Sequence, residues 1–463
     1  MTAASTKTPP AGGRPRFREH PIEFILALFG EVRPGEGTTV VLLTVNVFLI
    51  LSAYYLLKVA REPLILLGGG AAVKSYASVG QSILLVFVAS AYGWLSARVG
   101  RLVLVSFVSL FFVANLFVFI ALGRAGVGLG IPFFLWVGIF NVVTIAQFWS
   151  FAADVYTEEQ GKRLFAIVGI GSTTGAVAGA AIAAPLVHVG SPFTLMGVAA
   201  VLLLIALGFT TLVHRRETRR TRAHEAVAEP LEHGAAFALV LRDRYLLTFA
   251  LLVLALNFVT KSGDYALDSM LLAQSKAHAE ALGVAQSVYI GQFKAHYFQL
   301  INVTGVVMQL FLVSRIVKYA GLRAVLVLIP LASTVGYGAT LLLPMIEVLF
   351  VARIIESSLD YSLSNTSQQT LWLVTTREAK YKAKQVIDTF FKRAGDTMSA
   401  AVVWLSVHFA LSTRSFLAIN VALSLAWIGL AVMLGRGYVR RSATPTARAE
   451  PPVTANVAPS GSL

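Results

Sequence analysis

The chain of 463 residues contains no cysteine. Disulfides, thiolate nucleophiles and cysteine-held metals are therefore excluded. Charge is scarce as well. Asp, Glu, Lys and Arg make up 13% of the residues, about half the share of an ordinary soluble domain. The marks of soluble enzyme chemistry are missing too. There is no Walker lysine loop, no nucleophile elbow and no His pair at metal-binding spacing, and His188, His296 and His408 are scattered. With no catalytic constellation, neither an enzyme nor a cofactor is expected. The first twenty residues hold no short apolar stretch ahead of a small-residue cleavage site, so no cleavable signal peptide is expected.

What the chain has is apolar sequence: 56% of it is hydrophobic and the mean hydropathy is +0.73. A membrane crossing takes about 20 apolar residues. Runs of that length lie at 38–59, 77–95, 102–122, 131–151, 164–188, 194–213, 245–268, 292–314, 324–343, 345–370, 394–412 and 415–435. Alternating ten-residue strands of a β-barrel are not what these runs resemble. The expected fold is an all-α integral membrane protein with twelve transmembrane helices.

The formal net charge of +15 is placed in a telling way. Lys and Arg gather in alternate connections: 7–18, Arg98 and Arg101, Lys162 and Arg163, "HRRETRRTR" at 214–222, 315–323, 377–393 and 436–441. That is the positive-inside pattern, with both termini cytoplasmic. A bacterial inner membrane is the expected location. Because the charge flanks the membrane, nucleic acid is not an expected partner. Residues 1–20 and 437–463 read as disordered tails. The stretch 21–37 reads as an interfacial helix and linker. A basic linker at 214–243 separates six-helix bundles at 38–213 and 244–436.

The two halves echo each other. "GWLSARVGRLVLV" (93–105) matches "SRIVKYAGLRAVLV" (314–327), and "TEEQGKRLFAIVGIGSTTG" (157–175) matches "TREAKYKAKQVIDTFFKRAG" (376–395). Parallel six-helix halves fit a major-facilitator-like transporter with its substrate site at the midplane. Arg98, Gly100 and Arg101 resemble that superfamily's loop signature, with Ala97 at the Asp position.

Ionisable residues inside spans are expensive and point to function. They fall at helical spacing. The first span has Asn46, Tyr54, Lys58, Arg61 and Glu62; the fourth has Asn141, Thr144 and Gln147; the seventh has Asn257, Lys261, Asp264 and Asp268. The eighth has Gln292, His296, Gln299 and Asn302. The tenth has Arg353, Glu356, Asp360, Ser364 and Gln368. The alternative reading for the uncharged members is polar packing between helices. Arg353 and Glu356 are i,i+3 neighbours that can pair on their own helix, which leaves Asp360 to find Lys261 or Lys58. Such a mixed site suits a zwitterion, an anion with a countercharge, or a proton-carrying acid. "GIGSTTGAVAG" (169–179) reads as a close-packing helix face rather than a phosphate loop.

Three stretches carry a family resemblance. "AYYLLKVAREPLIL" (53–66), "FWSFAADVYTEEQGKRLFAIVGIGSTTGA" (148–176) and "SLDYSLSNTSQQTLWLVTTREAKYKAKQVIDTFFKRAGD" (358–396) resemble the nucleotide transporter family, the ATP/ADP translocases of plastids and intracellular bacteria. The resemblance implies a major-facilitator-like fold and a nucleotide or another charged metabolite as substrate, ATP binding included. The family's first-span "LRN-x-KD" run is similar to Leu57–Glu62, and its seventh-span acid falls on Asp264. A family lysine falls at Asp268 and a fourth-span Glu at Val137. The translocase "DPTKE" run falls on Asn365, Thr366, Ser367, Gln368 and Gln369, where the lysine and both acids are replaced. The substrate-binding set expected is Lys58, Arg61, Glu62, Lys261, Asp264, Arg353, Glu356, Asp360, Asn365 and Gln368. The expected partners are a small charged solute and the lipid bilayer, with a monomer sufficing. Two other functions fit the residues: a proton-coupled symporter or exporter of a non-nucleotide solute, and a sensor or scaffold that binds lipid or a partner through the basic central linker and 377–393.

Overall fold

A computed structural model describes residues 26, 31–33, 35–217, 233–376 and 379–443. The expected tails at 1–20 and beyond 443, nearly all of 21–30, and the centre of the basic linker lie outside the described residues. Helices α1 (Gly37–Ser96), α2 (Arg101–Arg124), α3 (Gly130–Val155), α4 (Glu158–Val189) and α5 (Pro192–Glu217) come first. A short α6 (His233–Arg242) follows, then α7 (Arg244–Ala281) and α8 (Gln286–Val307), which a π turn, Met308–Leu312, joins to α9 (Val313–Leu342). Next are α10 (Ile346–Leu359), a π turn at Asp360–Ser364, and α11 (Asn365–Leu371). π turns at Ala379–Ala383 and Ile387–Phe391 lead into α12 (Lys392–His408), and α13 (Thr413–Ser442) is last. There is no strand among the described residues. In hydrocarbon every backbone N–H and C=O needs an internal partner, and a helix supplies that within one segment.

Nine of the described helical stretches are long and apolar enough to cross a membrane. The first, α1, has 60 residues, more than one crossing needs. It breaks at Gly70, where φ is 79° and ψ 176°, a conformation open to glycine and costly for other residues. The expected spans 38–59 and 77–95 are its two arms. α9 breaks in the same way at Gly321. The expected span 345–370 is carried by α10 and α11 with a π turn between them, and 394–412 begins as α12, which ends at His408. The twelve-span count is consistent with this arrangement. α13 runs past the expected end of its bundle at 436 to Ser442, and α6 forms inside the expected linker. Large apolar side chains such as Phe87, Phe107, Phe111, Leu310 and Leu342 are exposed, as lipid-facing residues are; a soluble monomer rarely shows so much.

The chain forms two compact units. The first holds Met1–Ala228, Asp264–Val306 and Val403–Val407; the second holds Glu229–Gly263, Val307–Val402 and His408–Leu463. The division thus falls in the central linker, and again inside α7, at the end of α8 and within α12.

In the first unit α1 packs on α3, α4 and α5. Its contact with α4 is made by glycines spaced four apart. Cβ atoms on Gly171, Gly175 and Gly179 would meet the backbone of Thr44, Phe48 and Ser52, and Ser52 Oγ donates to the Gly175 carbonyl at 3.1 Å. The close-packing reading of "GIGSTTGAVAG" is correct. Thr157 caps α4: its hydroxyl accepts from Gln160 N, and Gln160 Oε1 accepts from Thr157 N at 3.0 Å. Gln160 and Arg163 also bond the Glu36 carboxylate, both at 3.1 Å. Burial works to raise the Glu36 carboxyl, but the Arg163 bond, the Arg33 backbone N–H and Gln160 outweigh it and hold it below the usual range. Arg101 pairs with Asp154 at 2.6 Å, so an acid at the end of α3 partners the loop signature that has Ala97 in its Asp position.

In the second unit α9 packs on α13 and α10, and α6 lies against the π turn Ala379–Ala383. Asp243, between α6 and α7, holds Arg441 of α13 at 2.6 Å and accepts from Tyr245 N.

Candidate functional site

The first unit contains a ring of buried opposite charges. Glu62 of α1 and Asp268 of α7 share two lysines. Lys74 Nζ bonds Glu62 Oε2 and reaches Asp268 Oδ2 at 2.7 Å. Lys294 of α8 bonds Asp268 Oδ1 and lies 3.9 Å from Glu62 Oε2. The side chains of Glu62, Asp268 and Lys294 are 0%, 1% and 3% exposed, so solvent screens these pairs little. Arg61 Nε adds a contact to Glu62 Oε1 at 3.2 Å, while its guanidinium lies 4.6 Å from the centre of the Phe134 ring. Asp264 lies one turn before Asp268, and its charge also acts on Lys74. Three cations and three acids thus balance in one buried cluster.

Backbone geometry makes the ring possible. Twelve residues of unbroken helix rise about 18 Å, farther than a lysine side chain reaches. The break at Gly70 lies between Glu62 and Lys74 and folds the second arm of α1 back so that they meet.

Beside the ring, Lys58 Nζ sits 4.1 Å from the Phe298 ring centre and 5.0 Å from that of Tyr55. Tyr55 Oη donates to Asn302 Oδ1 at 3.0 Å, and Asn302 Nδ2 donates to the Ala176 carbonyl at 3.2 Å. A cation set over two aromatic faces is attracted to both rings. This corner can receive an anionic group with an aromatic or apolar part beside it.

The second unit contains a separate cluster. Arg353 Nη1 and Glu356 Oε2 are 2.7 Å apart, as the i,i+3 spacing implies, and both side chains are almost wholly buried. Tyr337 Oη of α9 donates to Glu356 Oε2 at 2.7 Å and accepts from Arg353 Nη1 at 3.2 Å. Thr260 of α7 donates to Glu356 Oε1 at 3.4 Å. Gly263 leaves room for Tyr337 Oη and Arg353, because a Cβ there would strike both. Arg353 and Glu356 therefore work first as a clamp of α10 onto α7 and α9.

Asp360 opens the π turn that follows α10. Its carboxyl takes a hydrogen bond from Ser364, whose hydroxyl accepts from Gln368 Nε2 at 2.9 Å. Asp360, Ser364 and Gln368 form one hydrogen-bonded line. The cation whose charge acts most on Asp360 is Lys392 of α12, in place of the expected Lys261 or Lys58. Gln368 is committed within its own helix, and Gln369 accepts from Lys384 at 3.0 Å. Lys261 is half-buried on α7. The side chain of Asn365 lies outside the described set.

The structure thus brings Arg61, Glu62 and Asp264 into one cluster with Lys58 beside it, and Arg353 and Glu356 into another with Asp360 a turn further on. Lys74, Lys294 and Tyr337 are additions that the sequence analysis missed. Lys294 had a signal, as the one Asp, Glu, Lys or Arg between Glu280 and Arg315. On α8 it shares the buried face with Tyr297, Phe298 and Ile301, whereas His296 of the expected polar stripe is exposed. No signal marked Lys74, since its position depends on the Gly70 break.

No known family profile matches the sequence, and no curated protein resembles it in sequence. Solved structures do resemble it in fold. A POT family transporter in complex with 5-aminolevulinic acid is 12% identical, with TM-score 0.63, covering 87% of this chain and 96% of the other. The nucleoside transporter NupG is 12% identical, with TM-score 0.57, over 88% and 99% of the two chains. A bacterial homologue of the human lysosomal transporter Spinster, in an inward-facing and unoccupied conformation, is 14% identical, with TM-score 0.56, over 89% and 100%. At these identities the likeness is one of fold, and it agrees with the apolar helices and the lipid-type surface: the chain is an all-α integral membrane protein with a major-facilitator-like fold.

Proposed function

We propose that this protein is a secondary membrane transporter that moves a small charged solute by alternating access. The observation that carries this reading is the buried, charge-balanced cluster of Arg61, Glu62, Lys74, Asp264, Asp268 and Lys294, with Lys58 held over aromatic rings beside it. Intramembrane charges are costly and are kept where they meet a solute or a moving partner. In this reading Lys58 and Arg61 meet the anionic group of the solute, and Glu62 and Asp264 its remaining polar groups. In the second unit Lys261, Arg353, Glu356, Asp360, Asn365 and Gln368 are further candidates for contact with the solute. The solute is a nucleotide or a similar charged metabolite, and the membrane is a bacterial inner membrane with both termini cytoplasmic. Gln368 in place of a lysine favours a cargo other than the ATP/ADP pair, because an amide offers dipoles where a lysine offers a point charge suited to phosphate. Uptake of labelled nucleotides and of amino-acid-like zwitterions into proteoliposomes, with and without internal counter-substrate, tests this. Accumulation that saturates and that Lys58→Gln abolishes is expected. No uptake of any panel member by a folded protein would overturn it.

A second reading rests on the line Asp360–Ser364–Gln368 with Lys392 acting on the acid. It is that transport is coupled to protons through Asp360. Asp360→Asn then uncouples uptake from an imposed pH gradient while leaving exchange intact. Uptake indifferent to that gradient in the unmodified protein would exclude it.

A further inference from the structure

The polar stripe of α3 is not used by either charged cluster. Thr144 and Gln147 are 7% and 4% exposed, and Thr144 Oγ1 and Gln147 Nε2 have no protein hydrogen-bond partner. Both line a small cavity within the first unit, together with Thr210 of α5, Ser109 of α2, whose hydroxyl can donate or accept, and apolar side chains such as Ile50, Val105 and Leu203. Thr210 Oγ1 accepts from Asn46 Nδ2 at 2.7 Å and donates to the Ala206 carbonyl at 3.1 Å, which leaves it one lone pair.

Buried polar groups are almost always satisfied by protein or by ordered water. The cavity has room for about 20 Å³, and one water molecule needs about 10–15 Å³. The chemistry of the walls narrows the occupant further. The Gln147 amide nitrogen only donates, the free lone pair of Thr210 only accepts, and the Thr144 hydroxyl does either. A bare cation meets an N–H there, and an anion finds no countercharge. Only a neutral molecule that both accepts and donates suits all three groups.

We infer that this cavity is a binding site for a single structural water, held by Thr144 and Gln147 of α3 and by Thr210 of α5. It links the arm of α1 that carries Asn46 to α3 through Thr210. The site is independent of the solute and of its coupling.

Thr144→Val keeps the shape and removes the hydroxyl. With water in place, the substitution deprives that water of a partner, and the thermal unfolding midpoint of the full-length protein in lipid nanodiscs falls by about 2 °C. A rise or no change is what removing an unpaired hydroxyl from a dry cavity gives, and would overturn the inference. Solid-state NMR of the unmodified protein in deuterated lipid supplies a readout free of any folding defect. Magnetisation transfer from water to the Gln147 side-chain amide is expected, and its absence would also overturn the inference.

Discussion

The carboxylates of Glu62 and Asp268 share the same two lysines, Lys74 and Lys294, from four separate helical arms. Buried charges of this kind contribute little net stability when complete, and cost much when one member is lost. Asp268→Asn leaves both lysines on Glu62. We expect it to destabilise the protein by about 3–5 kcal/mol, seen as a large fall in the thermal midpoint in detergent. Replacing Asp268 and Lys294 together by Leu and Met should restore much of that stability but not transport. If the double variant transports normally, the ring has no part in function.

Gly70 should be as sensitive as the ring it creates. Gly70→Ala forces a side chain into backbone space that only glycine adopts readily, at a cost of about 1–3 kcal/mol. It should also loosen Lys74 from Glu62. Chemical labelling of Lys74, slow in the unmodified protein, should quicken in the variant.

The glycine face of α4 predicts a contrast between neighbouring positions. A Cβ on Gly175 would meet the Phe48 carbonyl and Cα, whereas one on Gly169 meets nothing within 4 Å. Overpacking costs about 1–3 kcal/mol, so Gly175→Ala should lower the thermal midpoint and Gly169→Ala should leave it unchanged or raise it slightly. Equal effects would show that α1 and α4 are not in close contact.

The Asp243–Arg441 pair makes stability depend on acid. Burial pushes the Asp243 carboxyl up, but Arg441 and the backbone N–H groups of Tyr245 and Leu246 outweigh it and hold the carboxyl below its ordinary value. A carboxyl held low in the folded state binds fewer protons there than in the unfolded chain. Its stabilisation is therefore present above the unfolded value of about 3.9, and is lost as pH falls through the lower folded value. Thermal midpoints between pH 6 and 3 should fall more steeply for the unmodified protein than for Asp243→Asn.

Tyr337→Phe removes the hydroxyl that bridges Arg353 and Glu356. A hydrogen bond to a charged group is worth about 1.5–3 kcal/mol, so a loss in that range is expected in denaturant unfolding. Arg353→Met should cost more, because it strands Glu356 without its cation.

How much was legible before the structure depends on the residue. Arg353 and Glu356 were legible as a pair because i,i+3 spacing on one helix brings them together whatever surrounds them. The glycines of 169–179 were legible because four-residue spacing marks one helix face. Lys294 was obscured by more polar neighbours at helical spacing on the opposite face of α8. Asp360 was recognised, but its cation was not, because Lys392 comes from another helix. Lys74 was out of reach, since a periodic reading places it far along the axis from Glu62 until the chain breaks at Gly70.

The residue sequence by itself determined that this chain is helical and lives in a membrane. Long apolar runs must be buried in lipid, and a backbone in lipid must satisfy its own hydrogen bonds, which leaves the helix as the only form for runs of this kind. It also determined the charged face of the first, seventh and tenth spans. Only the tertiary structure decided which acid meets which base on another helix. Periodicity sets the side of a helix on which a residue lies, but the partner across the gap is set by breaks such as Gly70, by close approaches such as that of Gly175 to Phe48, and by helices distant in the chain. Electrostatic energy falls with distance between charges, not with separation in sequence, so the pairing that makes the site had to wait for the fold.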